Sequence, residues 1–248
     1  MTLINQFLHF CHEAGFSNAI YDNFKYPTLL IHIIFLMIHR KHYPISWVKS
    51  LIAAVLMFAI GYSFSAVLGW AESGFKVWGA NNIVRVFIYL PLICVLVAKL
   101  LKVKPLMMLT MLTPNVALQQ VVGHTVCVFP GCCRGYPCDW GVWNPVTNSI
   151  LFPNQWLECL VSLAIMVFLV FYQKKHNYTT NGKVYPIFLM LYGSTRFLLE
   201  FLRNNEKLWL GISSLAFHAL FMTVVGIVWY TIVAENKREA TQDEKIAI

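Results

Sequence analysis

Seven predominantly apolar runs take up most of this chain and limit what it can fold into. They cover residues 26–38, 46–70, 83–100, 106–128, 152–172, 184–202 and 208–233. A helix needs about 20 such residues to cross a bilayer. Only 12% of the 248 residues are charged, which is about half the share found in soluble domains. We therefore expect an all-α fold, a polytopic membrane helix bundle with about seven transmembrane helices.

The loops between the runs alternate in positive charge, and this alternation predicts the orientation. Twelve Lys and Arg residues fall on one side of the predicted membrane and seven on the other. Because cytoplasmic loops carry the excess, we expect the N-terminus outside and the C-terminus in the cytoplasm. The first run is short enough to be interfacial, but the alternation supports it as a span. We predict a single integral membrane domain with an extracytoplasmic arm at 1–25 and a cytoplasmic tail at 234–248.

The net charge of +8 does not indicate nucleic-acid binding. The cations form short clusters between the apolar runs, whereas a nucleic-acid interface needs a basic stripe with side chains that reach the bases. We interpret the clusters as topology signals and expect a membrane, not a nucleic acid, as the partner.

Four of the seven cysteines, Cys127, Cys132, Cys133 and Cys138, crowd into one segment, and this does not fix a redox compartment. His124 with its neighbouring cysteines offers soft-metal ligands, but their spacing matches no standard zinc pattern. We expect no metal and no other cofactor. Small buried side chains or a disulfide on the outer face explain the cysteines better.

One polar segment leads from the end of the fourth run into the outer loop. Gln120, His124 and Cys127 are separated by four and three residues, so a helix places them on one face. Gly131 and Gly135 let the backbone turn tightly and approach a ligand closely. The structural alternative for His124 is a buried histidine with satisfied hydrogen bonds and no chemical role.

A second polar segment lies at the outer end of the sixth run. Tyr192, Arg196, Glu200 and Arg203 are spaced by four, four and three residues, which makes one stripe on a helix. A charge at mid-bilayer costs about 2.5–3.5 kcal/mol on insertion scales, so such residues usually face the bundle interior and mark function. Two structural alternatives stay open: Arg203 could extend to the outer interface, and Glu200 could serve only as an ion-pair partner of Arg196.

Two arginines and a carboxylate at the edge of the bilayer favour a site for an anionic phospholipid headgroup. A guanidinium can bind two phosphate oxygens at once, and Glu200 would keep Arg196 aimed. Gln155 and Glu158, at the start of the fifth run, fall at the same level of the membrane. We expect three helices to present these side chains to a common cavity at the outer leaflet.

Three motifs in the second half of the chain occur in an order typical of one enzyme family. Residues 123–135 end in Gly-Cys-Cys-x-Gly, residues 153–158 read Pro-x-Gln-x-x-Glu, and residues 192–203 read Tyr-Gly-x-x-Arg-Phe-x-x-Glu-Phe-x-Arg. In these motifs the chain resembles the bacterial prolipoprotein diacylglyceryl transferases. The motif at 192–203 is the most specific of the three.

The resemblance implies a phospholipid-dependent transferase of the bacterial plasma membrane. Such an enzyme moves a diacylglyceryl group from phosphatidylglycerol to the lipobox cysteine thiol of a lipoprotein precursor, forming a thioether and releasing glycerol phosphate. The catalytic residues implied are His124, Arg196 and Glu200, with Arg196 and Arg203 on the phosphate and Glu200 orienting these two arginines. His124 stands where the family usually has arginine, and it would donate a hydrogen bond or accept the thiol proton. The substrate-binding residues implied are Arg203, Tyr192, Gln155, Glu158, Cys127, Cys132, Gly131 and Gly135.

The chain departs from the family pattern at other positions as well. Residues 78–85 contain no histidine where the family has a His-Gly-Gly-like motif, and Phe152 stands in place of another histidine. Two further hypotheses therefore stand beside the transferase: a relative that binds or moves anionic lipid without catalysis, and a small-molecule transporter or channel. Polar residues that gather at one face, and do not run across the bilayer, count against transport.

Overall fold

The computed structural model describes residues 2–76, 83–179, 181–204 and 213–246, most of which are helical. The helices are α1 (Leu3–Glu13), α2 (Phe16–Asn23), α3 (Lys25–His39), α4 (Trp47–Glu72), α5 (Ile83–Leu100), α6 (Pro105–Val126), α7 (Asn154–Lys175), α8 (Val184–Glu200) and α9 (Ser214–Ile246). Helices α3 to α9 correspond in order to the seven apolar runs. Residues 208–212 of the last run lie outside the described residues.

Three helices in the described ranges are long and apolar enough to cross a membrane. These segments are Trp47–Ala71 in α4, Asn154–Lys175 in α7 and Ser214–Glu235 in α9. Val86–Leu100 in α5 is also apolar but shorter. The predicted helical character of the chain is confirmed, whereas the count of seven spans and the orientation of the termini stay predictions.

Helix α6 lies at the centre of the bundle and is held by polar as well as apolar contacts. Thirteen of its 22 residues are buried, and it packs against α3, α5, α7 and α8. Gln173 of α7 donates a hydrogen bond to the Thr110 carbonyl at 2.6 Å. Asn115 donates to Nδ1 of His32 in α3 at 2.8 Å. Because interhelical hydrogen bonds restrain helices that have little hydrophobic drive to associate in lipid, these contacts fix the N-terminal half of α6 against α3 and α7.

The all-α prediction does not extend to the segment between α6 and α7, which contains a two-stranded antiparallel hairpin. Strand β1 spans Pro137–Asn144 and strand β2 spans Ser149–Leu151. The side chain of Asn144 supports the turn, since its Oδ1 accepts the backbone N–H of Val146 at 3.0 Å. Asparagine often closes turns through such local bonds, a signal that an analysis of apolar runs does not use.

The N-terminal arm forms α1 and α2, and α1 packs on this hairpin. Asn5 donates to the Gly141 carbonyl at 3.2 Å and accepts the Trp143 backbone N–H at 2.9 Å. The rings of His9 and His12 also contact Trp143, with centroids 4.9 and 5.6 Å away. The arm and the loop after α6 are therefore one packed unit.

Helices α8 and α9 approach each other closely through two glycines. A Cβ added at Gly193 would lie 2.7 Å from the Ala219 carbonyl oxygen. One added at Gly226 would lie 2.9 Å from both the Met190 backbone nitrogen and the Pro186 carbonyl oxygen. Small residues permit such close backbone approach between helices in membranes, so these two positions set the distance between α8 and α9.

Replacing Gly226 with alanine is expected to lower the melting temperature of the purified protein in detergent. Alanine is the better helix former by about 1 kcal/mol, but its methyl group would press against the α8 backbone, and overpacking costs about 1–3 kcal/mol. The matched control is Gly61→Ala, whose Cβ would meet only Val86 at 3.7 Å. It should leave the melting temperature unchanged or raise it. An equal rise in both variants would contradict the close α8–α9 contact.

Candidate functional site

A buried carboxylate near the start of α7 joins three of the predicted site residues. Glu158 Oε2 lies 2.6 Å from Nε2 of His124, at the end of α6. Its Oε1 lies 3.2 Å from Nε of Arg203 and 3.6 Å from Nη1 of Arg196. Asn154, one turn earlier on α7, donates to the same Oε1 at 2.9 Å. Glu158 therefore links the C-terminal ends of α6 and α8 through one side chain.

A second carboxylate, Glu200, holds the two arginines from the other side. Its Oε2 lies 2.6 Å from Nη1 of Arg196 and 3.4 Å from Nη1 of Arg203. Ser213, just before α9, donates to Glu200 Oε1 at 2.6 Å. Arg196 and Glu200 thus share one face of α8, as the sequence predicted, whereas Arg203 lies three residues beyond the end of that helix and still meets them. We refer to Glu158, Glu200, Arg196, Arg203 and His124 as the ion-pair cluster.

The burial and contacts of Arg203 and Glu200 decide the two structural alternatives that the sequence left open. The side chain of Arg203 is only 3% exposed and contacts both glutamates, so it does not extend to the interface. Glu200 pairs with both arginines and is not a partner of Arg196 alone. Removing charges from water costs several kcal/mol for each ion, and only close opposite charges and hydrogen bonds offset that cost.

The net charge of the ion-pair cluster depends on His124. Two guanidinium groups and two carboxylates balance one another, so the cluster is neutral when the imidazole is neutral. An imidazolium would leave one positive charge in a buried site, where electrostatic interactions are stronger than in water. His124 is 12% exposed and its ring is held by Glu158, so the protonation state of this one residue sets the charge offered to an anion.

Tyr192 and Gln155 lie beside the cluster and hold its surroundings. Tyr192, one turn before Arg196, is buried and donates its hydroxyl to Gln120 Oε1 at 2.9 Å. Gln155 donates to the Cys132 carbonyl at 2.6 Å. Tyr192 thus holds α6, and Gln155 holds the loop that follows it.

The two predicted glycines, Gly131 and Gly135, pack closely against other residues of the protein. Gly131 has a φ of 72°, and Asn144 donates to its carbonyl at 2.9 Å. A Cβ added at Gly135 would lie 2.8 Å from the Phe152 carbonyl oxygen, and this glycine forms an isolated β-bridge with Arg203. The predicted tight turn at Gly131 is present, and Gly135 brings the loop against the segment that carries Arg203.

Three thiols lie in the loop beside His124. A ring nitrogen of His124 and the sulfurs of Cys127 and Cys133 all lie within 4.8 Å of one another. Cys132 turns its thiol to the Cys127 carbonyl, 3.4 Å away. Hydrogen bonds with Cys127 and Cys132 hold the pKa of the Cys133 thiol well below its usual value. For Cys132, the hydrogen bond with Cys127 lowers the pKa, but that with Cys133 and burial raise it to about 12.

Three residues of the site were missed by the analysis of the sequence. Cys133 has a positive φ of 57°, and this backbone conformation has no signal in the residue type. Asn154 sits one helical turn before Glu158, so the spacing of four residues could have suggested their contact. Ser213 reaches Glu200 only through the packing of α9. Two predicted features, the motif at 78–85 and the cation Lys207, fall on residues whose side chains the structure does not describe.

Comparisons with known proteins point to one family. A model of the prolipoprotein diacylglyceryl transferase family matches residues 28–232, well over half of the chain. A phosphatidylglycerol–prolipoprotein diacylglyceryl transferase of Clostridium tetani is 28% identical over 170 residues, which cover 64% of each protein. A second, from Clostridium perfringens, is 28% identical over 54% of this chain and 55% of its own length. The chain thus matches less than two thirds of the length of these relatives.

Substituting Glu158 with glutamine is expected to lower the stability of the folded protein by about 3–5 kcal/mol, because it leaves two buried arginines with one carboxylate, Glu200, between them. The matched control is Asp139→Asn on the exposed surface of β1, which should change stability by less than about 0.5 kcal/mol. Thermal unfolding in detergent would measure both. Equal melting temperatures for the two variants would show that Glu158 does not hold the cluster together.

Proposed function

Because the chain belongs to the prolipoprotein diacylglyceryl transferase family, we propose that it is a multi-pass transferase of the bacterial plasma membrane. Its donor is phosphatidylglycerol and its acceptor is the lipobox cysteine of a lipoprotein precursor, the substrates that the names of its relatives indicate. The observation that carries the proposal is the burial of Arg196 and Arg203 side by side, between two carboxylates.

The reaction needs a site that stabilises a phosphate leaving group. The acceptor thiolate attacks the glycerol carbon of the donor, the carbon–sulfur bond forms as the carbon–oxygen bond to phosphate breaks, and glycerol phosphate leaves with the bonding electrons. The thiolate is the reactive form of the acceptor. Cations that are already in place before the reaction stabilise the developing charge at little cost in reorganisation.

Arg196 and Arg203 are the proposed phosphate ligands, with Glu200 orienting them. Nη2 of Arg203 is buried and has no hydrogen-bond partner among the described residues, so one donor of this guanidinium is open to an incoming oxygen. Of the two roles predicted for His124, hydrogen-bond donation is the one that the geometry supports, since Nε2 lies against Glu158. His124, which stands where the family usually has arginine, would thereby take the place of that arginine beside Glu158.

The other predicted substrate-binding residues take supporting roles in this proposal. Tyr192 and Gln155 hold α6 and its following loop, and Gly131 and Gly135 shape that loop. Cys127 and Cys132 occupy the same loop, beside His124. Glu158 was predicted to bind substrate. We now assign it to the centre of the ion-pair cluster, because it contacts the side chains of His124, Arg196 and Arg203.

A second candidate function is binding of anionic lipid without transfer. The charge balance of the ion-pair cluster favours it, because each guanidinium already faces a carboxylate. A phosphate must then compete with Glu158 and Glu200 for the arginines, which suits reversible binding as well as catalysis.

Incubating the purified protein with phosphatidylglycerol vesicles and a lipobox peptide is expected to add one diacylglyceryl group to the peptide thiol, measured by mass spectrometry. Arg203→Lys keeps the charge but loses the planar fork, and the rate should fall about 100-fold, as on removal of one preorganised donor. Arg40→Lys is the matched control, since Arg40 follows α3 at the opposite end of the bundle. It should leave the rate unchanged.

One outcome would reject the transferase, and another would reject Arg203 as the phosphate ligand. If the unaltered protein binds the vesicles and never releases glycerol phosphate, the lipid-binding candidate replaces it. If Arg203→Lys transfers the group at the unaltered rate, the phosphate does not lie on Arg203.

A further inference from the structure

The thiols beside the ion-pair cluster carry no chemical step in the proposed transfer, and their arrangement points to another kind of ligand. His124 lies on the last turn of α6, Cys127 follows directly after the helix, and Cys133 returns to them from the loop. One nitrogen and two sulfurs, all within 4.8 Å of one another, form a compact set of soft donor atoms. We refer to His124, Cys127 and Cys133 as the thiol–imidazole cluster.

The two nitrogens of His124 differ in their surroundings. Nε2 lies 2.6 Å from a carboxylate oxygen of Glu158, so a neutral ring keeps its proton on Nε2, beside that negative charge. Nδ1 is buried and has no hydrogen-bond partner among the described residues. A neutral imidazole that donates from one nitrogen carries a lone pair on the other. Nδ1 is therefore a buried acceptor whose lone pair needs a partner.

A histidine held in this way is the usual form of a metal ligand. Metal-bound histidines almost always donate their other ring N–H to a carboxylate, a carbonyl or water, which fixes the tautomer and the ring orientation. Glu158 provides that carboxylate, and it is itself fixed by Asn154 and Arg203. The support around the ring is thus complete without any further residue.

We propose that Nδ1 of His124 and the sulfurs of Cys127 and Cys133 bind a thiophilic divalent cation, with zinc as the best fit. Zinc bonds sulfur at about 2.3 Å and nitrogen at about 2.0–2.1 Å, so a tetrahedral site needs ligand atoms roughly 3.5–3.8 Å apart. The three atoms meet this requirement with movements of about 1 Å. Thiolate ligands select zinc over magnesium and calcium, which prefer oxygen.

The fold explains why the sequence argued against a metal. The spacing His-x2-Cys-x5-Cys matches no standard zinc pattern, and Cys132 adjoins Cys133 in sequence. The positive φ of Gly131 and Cys133 turns the loop back to α6, so that Cys133 faces His124 while Cys132 faces the Cys127 carbonyl. Three protein ligands are the set found at catalytic zinc sites, which keep the fourth position for water or substrate.

Metal binding by the reduced, purified protein tests the proposal directly. After treatment with a chelator, the protein should take up about one zinc ion per chain, measured by elemental analysis. Cobalt should give the sulfur-to-cobalt charge-transfer absorption that thiolate ligands produce. Cys127→Ser and Cys133→Ser should each abolish the absorption and lower zinc affinity at least tenfold. Cys138→Ser and Cys159→Ser, which remove thiols outside the cluster, are the matched controls and should bind as the unaltered protein does.

Glu158→Asp tests the carboxylate that holds the ring. This variant should lower zinc affinity about 10–100-fold, as loss of such a partner does. Because it keeps the negative charge between the arginines, the protein should still fold. Zinc uptake that survives unchanged in both Cys127→Ser and Cys133→Ser would overturn the proposal. So would a reduced protein that binds no zinc, the result expected if these cysteines serve only to form a disulfide. The readout is metal content, so it is independent of whether the protein transfers lipid.

Discussion

The carboxylate of Glu158 is the contact on which the rest of the site depends. It contacts the imidazole at the end of α6, forms ion pairs with Arg196 of α8 and with Arg203 after it, and accepts a hydrogen bond from an amide of its own helix. Buried cations need a partner within a few ångströms, because burial without one costs several kcal/mol. Three helix ends are therefore held together by one side chain, and the loop that follows α6 is positioned as a result.

The same carboxylates that stabilise the arginines also limit how an anion can bind. Arg196 and Arg203 have most of their contacts with Glu158 and Glu200, so a phosphate must use the donors that remain or displace a glutamate. Nη2 of Arg203 is one such donor among the described residues. A site built in this way keeps its cations aligned before the ligand arrives, which is what electrostatic stabilisation of a leaving group requires.

The sequence predicted the features that depend on local pattern and missed those that depend on packing. The apolar runs predicted α3 to α9, and the spacing of Arg196 and Glu200 predicted one polar face on α8, which Arg203 joins from just beyond the end of the helix. The central place of Glu158 could not be predicted, since it arises where α6, α7 and α8 meet. The hairpin and the contact of Cys133 with His124 depend on turns and positive φ angles, which apolar periodicity does not record.

His124 connects the two clusters, and this connection follows from the geometry of one ring. Nε2 belongs to the ion-pair cluster through Glu158, which leaves Nδ1 as the nitrogen that we propose binds the cation beside the thiols. A cation and a proton cannot share the Nδ1 lone pair. With zinc on Nδ1 the ring stays neutral and the four other charges balance, whereas a proton there would add one positive charge beside the arginines. Whatever occupies Nδ1 therefore sets the charge of the ion-pair cluster, while Nε2 continues to hold Glu158 in place.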